Sequence, residues 1–277
     1  MAQVHPFDLA IALAPQGENS YTGHTNPAYW NMVGPFGGIS AGTMLNAVMQ
    51  HPARLGEPVS LTINYASGLV QGPFGVSARP ARTNRSTQHW MLEMVQVNQA
   101  GIEETVLTAT VLTAARRSTW GTSESPMPAV PPARHMPVQA GFSKMEWLKR
   151  YDIRAVAGAM PRTWDGALHP EGSSLTQLWM RDEPPRPLDF CALAAYADIF
   201  YPRLYLRRAS AVPVGTVSMT VYFHAGTALL QQCGDTPVLG QARGQMFRDG
   251  FFDQSAQLWS GSGDLLVTSS QIVYYKE

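Results

Sequence analysis

Asp198 is the side chain with the clearest capacity for acid–base chemistry. It lies near the end of an apolar run, 190–200, in which it is the only carboxylate. Burying such a group costs free energy unless partners satisfy it, and the C-terminal end of a helix disfavours negative charge. Both effects raise its pKa toward the range of a general base, or call for a hydrogen-bonded polar cluster around it. A surface aspartate on a frayed helix end accounts for the residue equally well. Two uncharged side chains in apolar strands are candidate partners. Thr216 opens one strand, and Gln271 lies between Thr268-Ser269-Ser270 and Ile272-Val273. Taken singly, each also reads as an ordinary strand residue. In Gly34-Pro35-Phe36-Gly37-Gly38 the glycines let backbone approach a ligand, and the unpaired amides of the helix that follows suit an oxyanion. A tight turn would use the same residues.

A different chemistry is suggested by Gly38-Ile39-Ser40-Ala41-Gly42, which fits G-x-S-x-G, the elbow that exposes a nucleophilic serine in α/β-hydrolases. The order Ser40, Asp198, His224 suits a triad. Against it, Pro35 spoils the preceding segment as a central strand, and the chain lacks alternating strand–helix units. His5, His24, His51, His89, His135 and His169 show no paired metal-ligand spacing, and Cys191 and Cys233 form no CxxC. Neither a metal nor a cofactor is expected, and the cysteines read as two buried thiols.

The elements that must carry these residues occur twice. Segments 59–68 and 217–226 match position by position in character and read as strands closed by glycine. A helix precedes each. Over 38–50, Ala41, Met44, Leu45, Val48 and Met49 form one stripe, predicting a half-buried helix. Over 190–200 the run is apolar all round, capped by Asp189 and stopped before Pro202, so it must be wrapped, for example by a curled sheet. Strands are predicted at 75–81, 88–98 and 104–115, the last two joined by a turn at 99–101, and again at 228–232, 238–248, 252–259 and 265–275. Between the copies, Pro126, Pro128, Pro131, Pro132 and Pro137 favour an extended linker. The expected organisation is therefore a unit at 1–116, a linker at 117–140 and a second unit at 141–277. The twin units form a pseudo-symmetric pair in which each covers the other's sheet edge.

Composition bounds the rest. The 277 residues are 45% hydrophobic and 14% charged, which excludes a disordered scaffold. Lys plus Arg and Asp plus Glu number 20 each, so no net charge calls for nucleic acid or an acidic membrane. The N-terminus lacks a basic signal segment, and the apolar piece 9–14 is too short to span a bilayer. A cytoplasmic protein without membrane insertion is expected.

With helix, sheet and duplication assembled, the chain resembles the acyl-CoA thioesterase II-like family of double hot-dog proteins, from about residue 26 to 275. Ala194-Ala195-Tyr196-Ala197-Asp198 is similar to the family's helix ending in aspartate. Thr216-Val217-Ser218-Met219-Thr220-Val221-Tyr222-Phe223-His224 resembles its strand from a hydroxyl residue to Phe-His. The segment 263–271 resembles its closing strand with a functional glutamine, and Phe36-Gly37-Gly38 its helix start. The resemblance implies an α+β fold of two tandem units, each a long helix wrapped by an antiparallel sheet. It also implies an acyl-CoA substrate, catalysis by water held on Asp198, Thr216 and Gln271, and oxyanion binding at Gly37 and Gly38. A non-catalytic acyl-CoA binder on the same fold is the alternative. The chain departs from the family pattern at Ser218-Met219, where an acidic residue and histidine are usual, and at Ile272-Val273, where Glu-Gly is common. Homo-oligomers are expected from any sheet edge left free after the halves pair.

Overall fold

The computed structural model describes residues 4–98, 100–138, 145–161, 163–168 and 172–277. Helices α1 (Pro6–Ala10) and α2 (Gly37–Met49) belong to the first half, with strands β1 (Ala14–Pro15), β2 (Ser20–His24), β3 (Glu57–Tyr65), β4 (Pro73–Thr83), β5 (Thr87–Val97) and β6 (Glu103–Ala114). The second half holds β7 (Tyr151–Ala157), β8 (Thr176–Asp182), α3 (Phe190–Tyr196), α4 (Arg203–Arg207), β9 (Val214–Phe223), α5 (Thr227–Cys233), β10 (Val238–Arg243), β11 (Phe247–Arg248), β12 (Phe251–Trp259) and β13 (Leu265–Tyr275). The strands form one sheet in the order β1-β2-β4-β5-β6-β3-β9-β13-β12-β10-β8-β7, with β11 on β12. Each of these pairings is antiparallel.

The two matching segments meet at the centre of that sheet. Thr62 of β3 faces Thr220 of β9, flanked by Leu61 opposite Val221 and Ile63 opposite Met219. Thr62 and Thr220 are equivalent in the two copies and the flanking pairs exchange with each other, so a local two-fold passes between the threonines, whose Oγ1 atoms lie 3.1 Å apart. A bulge repeats as well. Val59 is skipped where β3 pairs with β6, and Val217, its counterpart, is skipped where β9 pairs with β13. Arg116 ties the seam by donating to the carbonyls of Pro58 (3.0 Å) and Phe223 (2.9 Å) while pairing with Glu57.

Inside the curl, α2 and α3 pack on each other. The half-buried helix expected at 38–50 is buried almost all round, because α3 covers the side that the sheet does not; Gly37, Asn46 and Met49 alone retain exposure. In α3 each residue from Phe190 to Tyr196 is buried, as an all-apolar helix requires, and a buried leucine such as Leu193 contributes about 1.5–3 kcal/mol. The helix is shorter than expected. It ends at Tyr196, with Ala197 as C-cap, and Asp198 sits in the following turn, its N–H on the Ala195 carbonyl at 3.1 Å.

Two strand expectations are corrected. Residues 228–232 are helical, within α5, where Leu230 and Cys233 at i, i+3 are both buried. The strand expected at 238–248 breaks after Arg243, because the Asp253 carboxylate takes the N–H groups of Gln245 (2.9 Å) and Met246 (2.7 Å) out of the ladder. The proline-rich stretch is extended but packed, with Met127, Val130, Ala133 and Met136 lying on Trp179, Leu239 and Trp259. Its carbonyls at Ser125 and Pro131 accept from the indoles of Trp259 (3.0 Å) and Trp179 (2.9 Å). Residues 139–144, with the end of the expected linker, lie outside the described residues, as do Gln99 of the turn at 99–101 and His169.

Candidate active site

Asp198 is held from both sides of its turn. Upstream, the Asp189 carboxylate caps α3 by accepting from Ala192 N–H at 2.8 Å. Downstream, the buried Arg203 guanidinium donates to the Tyr201 and Ser174 carbonyls (2.9 Å each) and to Thr176 Oγ1 (2.8 Å), pinning the exit of the turn to the lead-in of β8. Between fully buried Ala197 and Ile199, Asp198 remains half-buried.

Gln271 reaches it from the inner face of β13, which Ser269 and Val273 share. Its Nε2 lies 3.0 Å from Asp198 Oδ1, 3.3 Å from the Ala197 carbonyl and 3.1 Å from Met219 Sδ. All three neighbours are acceptors, so the NH2 end must face them and the carboxamide has one orientation. The helix start of the other half closes the group. A Cβ on Gly37 would lie 2.7 Å from Asp198 Oδ2, and one on Gly38 would lie 2.5 Å from the Ala195 carbonyl. Only glycines let α2 begin this close to α3. An aromatic cluster sets the two ends against each other, with Phe36 stacked on Trp147 at 4.1 Å and Tyr151 edge-on to both Phe36 and Tyr196.

Burial pushes the Asp198 carboxyl up to about 7, opposed by the Gln271 side chain and by the Gly38 backbone N–H, which favour its charged form. The group is thus poised to gain and lose a proton near neutrality.

Of the residues singled out in the sequence, the structure brings together Asp198, Gln271, Gly37 and Gly38. Thr216 shares the inner face through the Val217 bulge, which sets it opposite Val273, but among the described residues its hydroxyl makes no hydrogen bond to Asp198 or Gln271. The Ser40 elbow is overturned. Ser40 is buried inside α2, the chain before it forms bends and one isolated bridge, Trp30 to Pro35, and the sheet is antiparallel. His224 is exposed, bonded to Thr268 Oγ1 at 2.9 Å. Tyr65 and Met219 escaped the sequence reading. Tyr65 donates from Oη to the Gly37 carbonyl at 2.9 Å. A signal existed for it, since its counterpart in the second segment, Phe223, lacks the hydroxyl.

The chain matches two family models, described as the acyl-CoA thioesterase N-terminal domain over residues 26–114 and the acyl-CoA thioesterase C-terminal domain over 125–275. The chain belongs to the acyl-CoA thioesterase family. Among solved structures it is similar to a hot-dog-fold protein of unknown function from Alicyclobacillus acidocaldarius, with 43% identity over 99% of each chain and a TM-score of 0.91. It shares its fold with the acyl-CoA thioesterase II TesB2 of Mycobacterium marinum (20% identity, 98% of each chain, TM-score 0.74). The tesB protein of Mycobacterium avium subsp. paratuberculosis is a further relative in fold (14%, 98% of each chain, 0.75). No match was found among curated protein sequences. The fold is a tandem hot-dog, and the thioesterase is a thioester hydrolase. Among the described residues no helix is long and apolar enough to cross a membrane.

Proposed function

We propose that this thioesterase hydrolyses acyl-CoA, of fatty or related acyl groups, with water activated at Asp198. The pairing of half-buried Asp198 with Gln271 against Gly37 at the junction of the halves carries the reading. Asp198 takes a proton from water as the water oxygen bonds to the thioester carbon and the carbonyl electron pair moves onto oxygen. Gln271, its NH2 end spent on acceptors, offers Oε1 to orient that water, and Thr216 lies on the same face to hold it. As Asp198 loses its charge, the Gly38 N–H that faced it becomes free for the growing oxyanion. Collapse breaks the C–S bond, and the Asp198 proton passes to the departing sulfur. The acyl tail lies against apolar side chains between the halves, and such walls discriminate weakly per methylene.

The test is acyl-CoA hydrolysis followed by free-thiol release, on wild type, Asp198→Asn and Ser40→Ala. Asp198→Asn is expected to lose about 10²–10⁴-fold in kcat, with Ser40→Ala close to wild type. Activity retained in Asp198→Asn removes the proposed base. Tight binding of acyl-CoA with no turnover by wild type makes the chain a binder instead.

A further inference from the structure

We infer that Tyr65 is a positioning residue for this reaction: through its bond to the Gly37 carbonyl it fixes the Gly37–Gly38 peptide plane, and so the direction of the N–H that serves Asp198 and the oxyanion. The inference rests on the hydrolytic reading above. The Gly37 carbonyl and the Gly38 N–H are the two poles of one planar trans amide and point in opposite directions. Whatever holds one pole therefore aims the other. Helix α2 gives this amide one hold, at the carbonyl, which accepts the Ala41 N–H one turn on, and leaves its N–H pole without a partner in the helix. The amide lies between two residues without Cβ, whose backbone is the least restricted of all, and it lies in the first helical turn, where an N–H has no intrahelical acceptor.

Tyr65 supplies a second hold. Its Oη donates to the Gly37 oxygen at 2.9 Å, while the Gly38 N–H lies near enough to the Asp198 carboxylate to favour its charged form. The place a Gly37 Cβ would occupy lies 2.7 Å from Asp198 Oδ2 and 3.5 Å from Tyr65 Oη, so phenol and carboxylate flank one small niche. Donation into a carbonyl also polarises the N–H of the same unit and strengthens what that N–H donates to. The phenol stays a donor at any working pH, since burial, and then the nearby Asp198, push its ionisation well above the ordinary range. The device bridges the halves. Tyr65 ends β3 of the first and Asp198 follows α3 of the second, while the repeat-related Phe223 has no hydroxyl to offer.

Tyr65→Phe keeps the ring and removes only the hydroxyl. Expected are a fall in kcat of about tenfold, the worth of one hydrogen bond, a KM within twofold of wild type, and an acid limb of the kcat profile moved to higher pH. The limb moves because a less well aimed N–H supports the carboxylate less. Among the described residues, the titratable side chains that feel this carboxylate are Tyr65 from β3 and Tyr151 from β7, both phenols that burial holds protonated. Asp182, which burial also pushes up to about 7, is not among the charges that act on Tyr65, so a limb moved by Tyr65→Phe reports Asp198, and a loss of packing alone would not move it. A second readout needs no turnover. In the full chain labelled with ¹⁵N, the Gly38 amide proton is expected to move upfield in Tyr65→Phe, and downfield when 3-fluorotyrosine, a stronger donor, replaces Tyr65. Unchanged kcat and acid limb, together with an unmoved Gly38 amide, would overturn the inference. If wild type does not hydrolyse acyl-CoA, the hydrolytic reading fails by itself, and the Gly38 shifts alone decide for or against the grip of Tyr65.

Discussion

The two halves repeat the same inner strand pair with the same bulge, yet the inward positions around the two bulges differ in polarity. Around the bulge of the second half stand Thr216, Met219 and Gln271; the matching places in the first half hold Pro58, Leu61 and Val111. The two ends of the helix pair differ in the same way. Where α3 ends, Asp198 makes no ion pair among the described residues and meets neutral donors. Where α3 begins, Asp189 is paired with Arg186 at 2.5 Å, and Arg186 is also paired with Asp8. Duplication thus supplies the strand-and-helix frame twice, and in the proposed reading Asp198 can serve as base because, unlike Asp189, it makes no ion pair among the described residues. A paired carboxylate is a poor base, because its charged form is already satisfied.

The sharpest way to break the comparison is to make the halves alike. Gln271→Val copies Val111 into the second half, and kcat is expected to fall about 10–100-fold as the water loses its orienting group. The acid limb should move above its wild-type position, since Gln271 is the larger of the two supports for the charged Asp198. The reciprocal Val111→Gln should bring no new activity and cost about 1–3 kcal/mol by urea denaturation, because Val111 is fully enclosed and a carboxamide there finds no designed partner. Turnover surviving in the double exchange would mean that the polar strand pair is not what separates the halves.

Asp198 was legible because a carboxylate in an otherwise apolar run must either unfold its surroundings or be used, and the twin strands because β-branched alternation closed by glycine is a local signal. What escaped depends on distant neighbours. A tyrosine at the end of β3 looks like any strand former until α2 is folded over it. Residues 228–232 are a short apolar run, where strand and helix periods cannot be told apart, and Leu230 with Cys233 chooses helix only once the seam beneath offers them cover. Thr216 shows the converse. Its place at the start of the strand was legible, but strand position alone does not say that among the described residues its hydroxyl makes no bond to Asp198 or Gln271.

Stability against pH should separate the two ends of α3. Because the folded pKa of Asp198 lies above the usual 3.8, the native state holds its proton longer than the unfolded chain does. Stability from this group is therefore lost as pH rises between about 4 and 7, and the penalty is complete above 7. Asp198→Asn removes that penalty, so by calorimetry the variant should melt a few degrees above wild type at pH 8 and level with it near pH 4. Asp189→Ala should do the opposite, losing about 1 kcal/mol with the Ala192 cap. A variant of Asp198 that melts lower at pH 8 would show the carboxylate to be satisfied, and the asymmetry between the ends would disappear.

The smallest expected effect lies where the halves are most alike. Thr62 and Thr220 touch across the local two-fold, and a cross-strand threonine pair contributes about 0.2–1 kcal/mol. Thr62→Val keeps the shape and strand propensity while removing one hydroxyl, so the melting temperature should fall by about 1–3 °C with kcat unchanged. Thr220→Val should cost the same, because two-fold symmetry makes the hydroxyls interchangeable as donor and acceptor. In the double variant the loss should be less than the sum, since each single change already breaks the shared bond. Simple additivity would mean that the hydroxyls act separately on water, and that backbone pairing alone, tied by Arg116, holds the halves in register.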